Sequence, residues 1–229
     1  MLRAFADAVF VPSCAACDAV LDESDPPPFC AGCRASLVAN EPACPRCAEP
    51  LGVAIGTPCA RCVQAPPPQS ATIAPWRYGE AIASALRTMK LADRADLARA
   101  IAPLVAPFVA ALVESAAIDR IVPVPLHWRR LLRRGYNHAE LIAHAARGRA
   151  IVDDALRRVR STKPMPGLAA SARAANVKGA FEARRDLRGA RVLVLDDITT
   201  TGATLAAACA AIRDAGADDV IAFAVAKAE

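Results

Sequence analysis

The stretch VLVLDDITTTGATL, residues 192–205, carries the strongest signal for the fold of this chain. Its first four residues are apolar and predict a buried strand, and Asp196 and Asp197 follow directly at the strand's end. A turn rich in threonine and glycine comes next, and a helix is predicted over residues 205–215. Strand ends in parallel sheets open into the ligand crevice, so the stretch predicts an α/β fold with a binding site at the two acids.

The turn after the two acids is suited to hold a phosphate group. Backbone N–H groups at the beginning of a helix favour an anion, and Thr200, Thr201 and Thr204 add hydroxyl donors. Gly202 permits close approach of the backbone. Two adjacent carboxylates suit vicinal hydroxyls instead, because each carboxylate accepts hydrogen bonds from O–H groups. The combination predicts a sugar phosphate as the ligand.

Strands and helices alternate in the rest of the C-terminal part of the chain. Continuous apolar strands between helices predict a parallel sheet with helices on both faces. Asn137 is a plausible helix N-cap, and Gly216 is expected to end the last helix. The predicted helices are 78–89, 96–113 and 137–147, and the predicted strands are 120–125 and 220–225.

The N-terminal part holds eight of the nine cysteines, arranged as four CxxC pairs at nearly equal intervals. Two thiolates at this spacing can occupy two corners of a metal tetrahedron, so four pairs predict two structural zinc sites. Disulfides and iron–sulfur clusters are the alternatives. Sequential pairing needs only local closure and is favoured over a cross-brace. The predicted ligands are Cys14, Cys17, Cys30, Cys33, Cys44, Cys47, Cys59 and Cys62.

Length and composition favour two units without a membrane span. The 229 residues are enough for one ordinary domain and a small module. Proline-rich residues 65–70 predict a linker, so we expect a double zinc ribbon over residues 1–65 and an α/β domain over residues 70–229. The longest apolar run, residues 101–113, is too short to cross a bilayer. No signal peptide is recognisable, so a cytoplasmic location is expected.

Positive charge is concentrated in the middle of the chain. Residues 119–191 contain 17 Lys and Arg against six Asp and Glu, a net charge of +11. Four arginines cluster within residues 129–134, directly after a predicted strand. Such a bias predicts an anionic ligand, and single-stranded DNA on residues 129–134 is one candidate.

The acid pair and its turn resemble the phosphoribosyl pyrophosphate (PRPP) loop of type I phosphoribosyltransferases. In that family the two acids contact the ribose 2- and 3-hydroxyls, and the TTGAT segment holds the 5-phosphate. The resemblance implies that Asp196 and Asp197 bind the ribose diol and that Mg²⁺ accompanies PRPP. It assigns the 5-phosphate to Thr200, Thr201, Gly202, Ala203 and Thr204.

Two further segments resemble the ComF family. PVPLHWRRLLRRGYNHAELIA, residues 123–143, is similar to that family's RGFNQAELLA region. RSTKPMPGLAASARAANVKGAF, residues 160–181, is similar to its T-x-x-Q-x-x-L and R-x-x-N-V-x-G-A-F patterns. The family joins N-terminal zinc ribbons to a phosphoribosyltransferase-like domain and is associated with natural transformation, the uptake of single-stranded DNA.

The resemblance implies a mobile loop, residues 160–181, in which Arg173 and Lys163 stabilise the departing pyrophosphate. Two functions stay open at this point. The first is an enzyme that transfers the pentosyl group of PRPP to an unidentified acceptor. The alternative is a non-catalytic protein that binds single-stranded nucleic acid or docks a protein of the competence machinery and uses the PRPP loop as a ligand sensor.

Overall fold

A parallel sheet forms the centre of the fold. The computed structural model describes residues 13–22, 24–52, 56–91, 94–161 and 175–228, without the side chain of Leu91. The strands are β1 (Ala71–Ile73), β2 (Trp76–Arg77), β3 (Arg120–Pro123), β4 (Ile151–Val152), β5 (Leu156–Arg158), β6 (Phe181–Ala183), β7 (Arg191–Thr199) and β8 (Asp219–Lys227). In the main sheet β1, β8, β7, β3 and β4 lie side by side, β2 extends the β1 edge beside β8, and every pairing is parallel.

Helices cover both faces of this sheet, which confirms the predicted fold class. The helices are α1 (Ala31–Ala35), α2 (Ala60–Gln64), α3 (Glu80–Leu91), α4 (Ala95–Ser115), α5 (Trp128–Arg134), α6 (His138–Ala146) and α7 (Ala203–Asp214). One buried cluster joins α3, α4 and α6 to one face of the sheet, and a second joins α7 and the β5–β6 pair to the other face. β5 and β6 pair with each other in a separate antiparallel sheet.

Local capping follows the sequence closely. Asn137 caps α6, because its side chain accepts a hydrogen bond from the backbone N–H of Ala139. Gly216, with a φ of 92°, follows the end of α7 and donates its N–H to the carbonyl of Arg213. The beginning of α6 and the end of α7 therefore lie where the sequence predicts them.

The cysteine-rich part packs directly against the sheet edge. Ala39 bridges Trp76 of β2 in antiparallel fashion, and the N–H of Arg77 donates to the carbonyl of Val38 at 2.8 Å. On β1, Thr72 donates its N–H to Pro45 and its hydroxyl to Arg46. The ribbon therefore covers the edge formed by β1 and β2, which protects unpaired backbone groups.

A second contact joins the N-terminal knuckle to α3. Phe29 is fully buried in the same cluster as Ile82 and Leu86 of that helix. The hydroxyl of Ser84 donates to the carbonyl of Ala16 at 3.0 Å. Because Phe29 contributes to the core of the main sheet, the ribbon and the α/β domain share apolar surface.

Helix α4 is longer than the apolar run recognised in the sequence. With 21 residues it has the length and apolar composition of a membrane span. Its buried residues form one face that packs into the core with α3 and α6. A core helix of a globular domain has the same properties, so this helix by itself is weak support for a membrane location.

Candidate functional site

The eight N-terminal cysteines form two compact groups, each built from sequential CxxC pairs. Within each group all four sulfur atoms lie within 4.8 Å of one another, and all nine cysteines of the chain, each in the described part, are unbridged. Sequential pairing is thus confirmed over the cross-brace, and disulfides are absent from these described residues. The first cluster is Cys14, Cys17, Cys30 and Cys33, and the second is Cys44, Cys47, Cys59 and Cys62.

The sulfur geometry fits zinc. Four sulfurs about 2.3 Å from a tetrahedral zinc ion lie about 3.8 Å apart. The Sγ atoms of Cys17 and Cys30 are 3.8 Å apart, and those of Cys47 and Cys59 are 3.7 Å apart. Each cluster supplies four sulfurs and leaves no position for substrate, so these are structural sites. Zinc bound here would hold the knuckles together in place of an apolar core.

In the second cluster, backbone donors favour the thiolate form of Cys44, whereas burial raises the pKa of Cys47 and of Cys62. Burial raises the pKa of Cys44, but N–H groups of Cys59, Arg46 and Cys47 outweigh that effect and lower it to about 7. The Arg61 guanidinium lies 3.5 Å from the Cys47 sulfur and offsets part of the negative charge of a tetrathiolate site.

The predicted acid pair lines a cleft of about 270 Å³ at the carboxyl ends of β3 and β7. The sequence placed the acids beyond the end of a strand, and this detail is wrong, because β7 continues through them to Thr199. β8 pairs with β7 along this extension, whereas the pairing with β3 stops at Leu195. The acids therefore stand in an ordered strand at the point where its neighbour β3 has ended, and this geometry opens the crevice.

Lys90, at the C-terminal end of α3, faces the acid pair across the cleft. Its Nζ lies 3.0 Å from Oδ2 of Asp197. Burial lowers the pKa of Lys90, but the fields of Asp197 and Asp196 outweigh burial and raise it. Burial and the neighbouring Asp197 raise the pKa of Asp196 to about 7, although Lys90 opposes this shift. Lys90 therefore compensates only part of the negative charge of the acid pair.

The turn after β7 has the geometry expected of a phosphate loop. Gly202 adopts a φ of 79°, which other residues rarely accept, and it is the N-cap of the twelve-residue helix α7. Thr204, in the first turn of α7, lines the same cleft as the acids. Thr200 and Thr201 in the turn, and Ala203 at the beginning of α7, are half-buried. Of the seven predicted PRPP-binding residues, the structure thus brings Asp196, Asp197 and Thr204 together in the cleft wall.

Arginines also line the cleft. Arg130 and Arg134 project from one face of α5, one turn apart, and Arg158 approaches from β5. Burial, followed by repulsion from Arg134, lowers the pKa of Arg130, and burial together with Arg130 lowers that of Arg158, although the field of Asp196 opposes the second shift. A bound anion would relieve the repulsion among these half-buried arginines.

The two other arginines of α5 lie outside the cleft. Arg129 and Arg133 are exposed, and the Arg129 guanidinium stands 5.2 Å from the centre of the Trp128 ring. The four arginines that the sequence groups together therefore divide into a cleft pair and a surface pair.

A buried histidine fixes the cleft arginine Arg134. His138 is almost inaccessible, and its Nε2 lies 2.8 Å from the carbonyl oxygen of Met89. Its Nδ1 lies 3.2 Å from Arg134, which also donates to the carbonyl of Lys90. Burial lowers the pKa of His138, so the imidazole is neutral at pH 7. Neutral His138 donates to Met89 through Nε2 and accepts from Arg134 through Nδ1, so its role is structural.

Lys90 and Arg158 were not predicted from the sequence. For Lys90 the sequence offers one signal, its composition: the chain has four lysines and 24 arginines, so a lysine at a helix end is unusual. The predicted pyrophosphate-stabilising residues Arg173 and Lys163 lie outside the described residues.

A larger and shallower depression, of about 790 Å³, lies between β6 and the end of α7. Its arginines already have carboxylate partners, since Arg184 pairs with Asp154 and Arg188 with Asp186. It also lies apart from the helix N-terminus of the phosphate loop, so the smaller cleft is the better candidate for an anionic ligand.

Comparisons with known proteins agree with this two-part architecture. Residues 5–63 match the family described as a double zinc ribbon domain, and residues 129–229 match the phosphoribosyl transferase domain family. The chain is 32% identical to DNA utilization protein YhgH of Salmonella typhi over 184 residues, 78% of this chain and 81% of the relative. The corresponding identity to YhgH of Escherichia coli K12 is 29%, with the same coverage.

A third relative covers more of the chain. Competence protein F of Haemophilus influenzae is 27% identical over 209 residues, 87% of this chain and 90% of the relative. Among solved structures, the purine phosphoribosyltransferase of Pyrococcus horikoshii aligns with a TM-score of 0.33 and 17% identity, over 56% of this chain and 82% of its own.

Proposed function

This chain belongs to the ComF family, whose members include DNA utilization protein YhgH and Competence protein F, and we propose that it binds PRPP in the cleft and serves DNA uptake. The observation that carries the proposal is a single cleft lined by both acids and arginines. Asp196 and Asp197 line it together with Arg130, Arg134 and Arg158. PRPP needs both kinds of group, because it carries a diol and a pyrophosphate on one ribose ring.

Each part of PRPP has a matching group. The 5-phosphate lies in the turn Thr200–Thr204, where the first N–H groups of α7 and the threonine hydroxyls donate to it. The ribose hydroxyls donate to Asp196 and Asp197. The pyrophosphate would lie toward the cleft arginines Arg130, Arg134 and Arg158, and Mg²⁺ bound to it would supply further neutralising charge.

Pentosyl transfer is the reaction that this arrangement supports. An acceptor nucleophile would form a bond to the anomeric carbon of the ribose as the bond from that carbon to the pyrophosphate oxygen breaks. Pyrophosphate would leave with the bonding electron pair, and the acceptor's proton would pass to solvent or to the departing pyrophosphate, whose negative charge Mg²⁺ would partly neutralise. The protein contributes positioning and positive charge to this step, more than acid–base groups. We assign Arg173 and Lys163 to stabilisation of the departing pyrophosphate.

The alternative is a protein that senses PRPP without turnover and binds single-stranded nucleic acid on α5. The observation that favours it is the exposed side of that helix, where Trp128 is 57% exposed beside Arg129, and exposed Arg133 lies one turn after Arg129. An exposed ring next to a guanidinium group can stack a base and hold a phosphate. This surface is separate from the cleft, so both activities can coexist.

We place the protein in the cytoplasm, with proteins of the competence machinery as partners. The names of the relatives support a role in the use of incoming DNA.

Calorimetry with Mg²⁺-PRPP tests the binding proposal. Asp197→Asn keeps the shape of the side chain but weakens a charge-assisted acceptor, so we expect a loss of about 1–3 kcal/mol of binding free energy. Asp186→Asn, in an exposed ion pair with Arg188, is the matched control and should bind as the parent does. Equal affinity of Asp197→Asn and the control would contradict the diol assignment.

Turnover separates the two functions. Labelled PRPP is incubated with the purified protein and a panel of nucleobases, amines and single-stranded DNA, and pyrophosphate release is measured. Release that depends on one acceptor supports the enzyme. Tight binding without release beyond the rate in buffer supports the sensor.

A further inference from the structure

Lys227 is a buried lysine that the proposed cleft does not use. It lies at the end of β8 with its side chain only 2% exposed. Its Nζ is 3.0 Å from Oε2 of Glu49 and 2.7 Å from the carbonyl oxygen of Ala228. A buried ammonium is costly unless it is paired, so this contact with Glu49 is a specific feature of the fold.

Glu49 belongs to the second cysteine cluster. It follows Cys47 by two residues, and its carbonyl accepts the N–H of Cys44 at 2.8 Å. Arg61 lies 3.7 Å from the Glu49 carboxylate and donates to the Cys47 sulfur. The position of the Glu49 carboxylate is therefore set by the knuckles of the cluster.

Lys227 in turn lies beside the residue that leads into the phosphate loop. In the sheet it is opposite Thr199 of β7, and the N–H of Ala228 donates to the Thr199 carbonyl at 2.8 Å. Thr200 follows directly. One short chain of contacts thus runs from the second cluster through Glu49, Lys227 and Thr199 to the beginning of the loop.

We propose that Glu49 and Lys227 are positioning residues that make the second cysteine cluster a support for the phosphate loop. Their ion pair fixes the end of β8, and β8 fixes the end of β7 from which the loop departs. A loop held in its binding conformation loses less conformational freedom when a phosphate binds. The proposal rests on the proposed function only for the identity of the ligand, PRPP. The order of the loop itself can be measured in protein without a ligand.

The test uses a double variant, Glu49→Gln with Lys227→Met, in zinc-loaded full-length protein. Glu49→Gln alone would leave the buried Lys227 ammonium without its carboxylate, whereas the double change removes both charges, keeps similar volumes and leaves Arg61 its contact with the Cys47 sulfur. The double variant is therefore expected to fold with both clusters intact. Arg157→Met with Glu182→Gln removes an exposed ion pair of 2.7 Å between β5 and β6 and is the control.

Amide hydrogen exchange in ligand-free protein is the first readout. We expect exchange at Ala206 and Ala228, whose N–H groups donate to the carbonyls of Gly202 and Thr199 at the two ends of the loop, to be about fivefold faster in the double variant, with the amides of α6 unchanged and the control like the parent. Uniformly faster exchange, or parent-like exchange at Ala206 and Ala228, would overturn the proposal.

Titration with Mg²⁺-PRPP is the second readout and separates the two proposals. If the parent binds PRPP, the double variant should bind it about fivefold more weakly, and equal affinity overturns the positioning role. If the parent does not bind PRPP, the proposed function fails, and the exchange result alone decides the role of Glu49 and Lys227.

Discussion

Replacement of Lys90 by methionine tests the electrostatics of the cleft. Lys90 forms an ion pair with the acid pair, with Nζ 3.0 Å from Asp197, and its field opposes the raised pKa of Asp196. Methionine keeps the apolar length of the side chain and removes the charge. We therefore expect the pKa of Asp196 to rise further in the variant.

The size of the effect follows from distance and exposure. Unit charges 3.0 Å apart attract by about 5 kcal/mol at an effective dielectric constant of 20. Lys90 keeps 32% of its side-chain exposure, so solvent screening reduces the effect to about 2 kcal/mol at Asp197. The interaction energy of Lys90 with Asp196 is somewhat smaller than that with Asp197. A change of about 1.4 kcal/mol in this energy shifts a pKa by one unit. The pKa of Asp196 should then move from about 7 to about 8.

The assay is the affinity for Mg²⁺-PRPP between pH 6 and pH 9. Only ionised Asp196 accepts two hydrogen bonds from the diol, so affinity should rise with pH through about 7 in the parent. In Lys90→Met the rise should occur about one pH unit higher. At pH 7 the variant should bind about fivefold more weakly, because a smaller fraction of Asp196 is ionised, and at pH 9 it should approach the parent.

Arg87→Met is the matched control, since it removes one positive charge from an exposed position of the same helix. The phosphates of the ligand titrate identically with every variant, so only the difference between midpoints is interpreted. Equal midpoints for Lys90→Met and Arg87→Met would refute the field argument. A loss of affinity that persists at pH 9 would show that Lys90 contacts the ligand directly.

Three further outcomes are expected. Metal analysis of the purified protein should give two zinc ions per chain, and iron or a single ion would contradict the two tetrathiolate sites. Arg129→Glu with Arg133→Glu should lower the salt slope of single-stranded DNA binding by about one to two units and leave PRPP affinity unchanged, whereas an unchanged slope would move DNA contact away from α5. Phe29→Ala should cost about 3–5 kcal/mol of unfolding free energy in denaturant titrations, because Phe29 is fully buried against α3, and a loss below 1 kcal/mol would contradict shared packing of the two parts.

Local signals in the sequence were sufficient for the core of the fold. The continuous apolar segments of β7 and β8 indicated buried parallel strands, and Asn137 and Gly216 marked helix ends by capping chemistry. The spacing of the CxxC pairs was sufficient for both clusters, because each closes over a short segment.

Features that depend on distant contacts were not predictable. The extension of β7 to Thr199 arises from pairing with β8, which outweighs the low strand propensity of two aspartates. Lys90 reaches Asp197 from a helix more than 100 residues earlier, and no local pattern links them. Strand β2 has two residues and is recognisable only through its partners, β8 and Ala39.

The central claim is that the acid pair binds the ribose diol of PRPP. Its most direct test is a calorimetric titration of Mg²⁺-PRPP into the parent and into Asp196→Asn, Asp197→Asn, with unfolding measured in parallel. We expect one site per chain in the parent and at least a tenfold loss of affinity in the double variant, of the order expected for lost charge-assisted hydrogen bonds. The free energy of unfolding should change by no more than about 1 kcal/mol, because relief of the repulsion between Asp196 and Asp197 offsets the lost ion pair with Lys90. Equal binding by both proteins, or no binding by the parent, would contradict it.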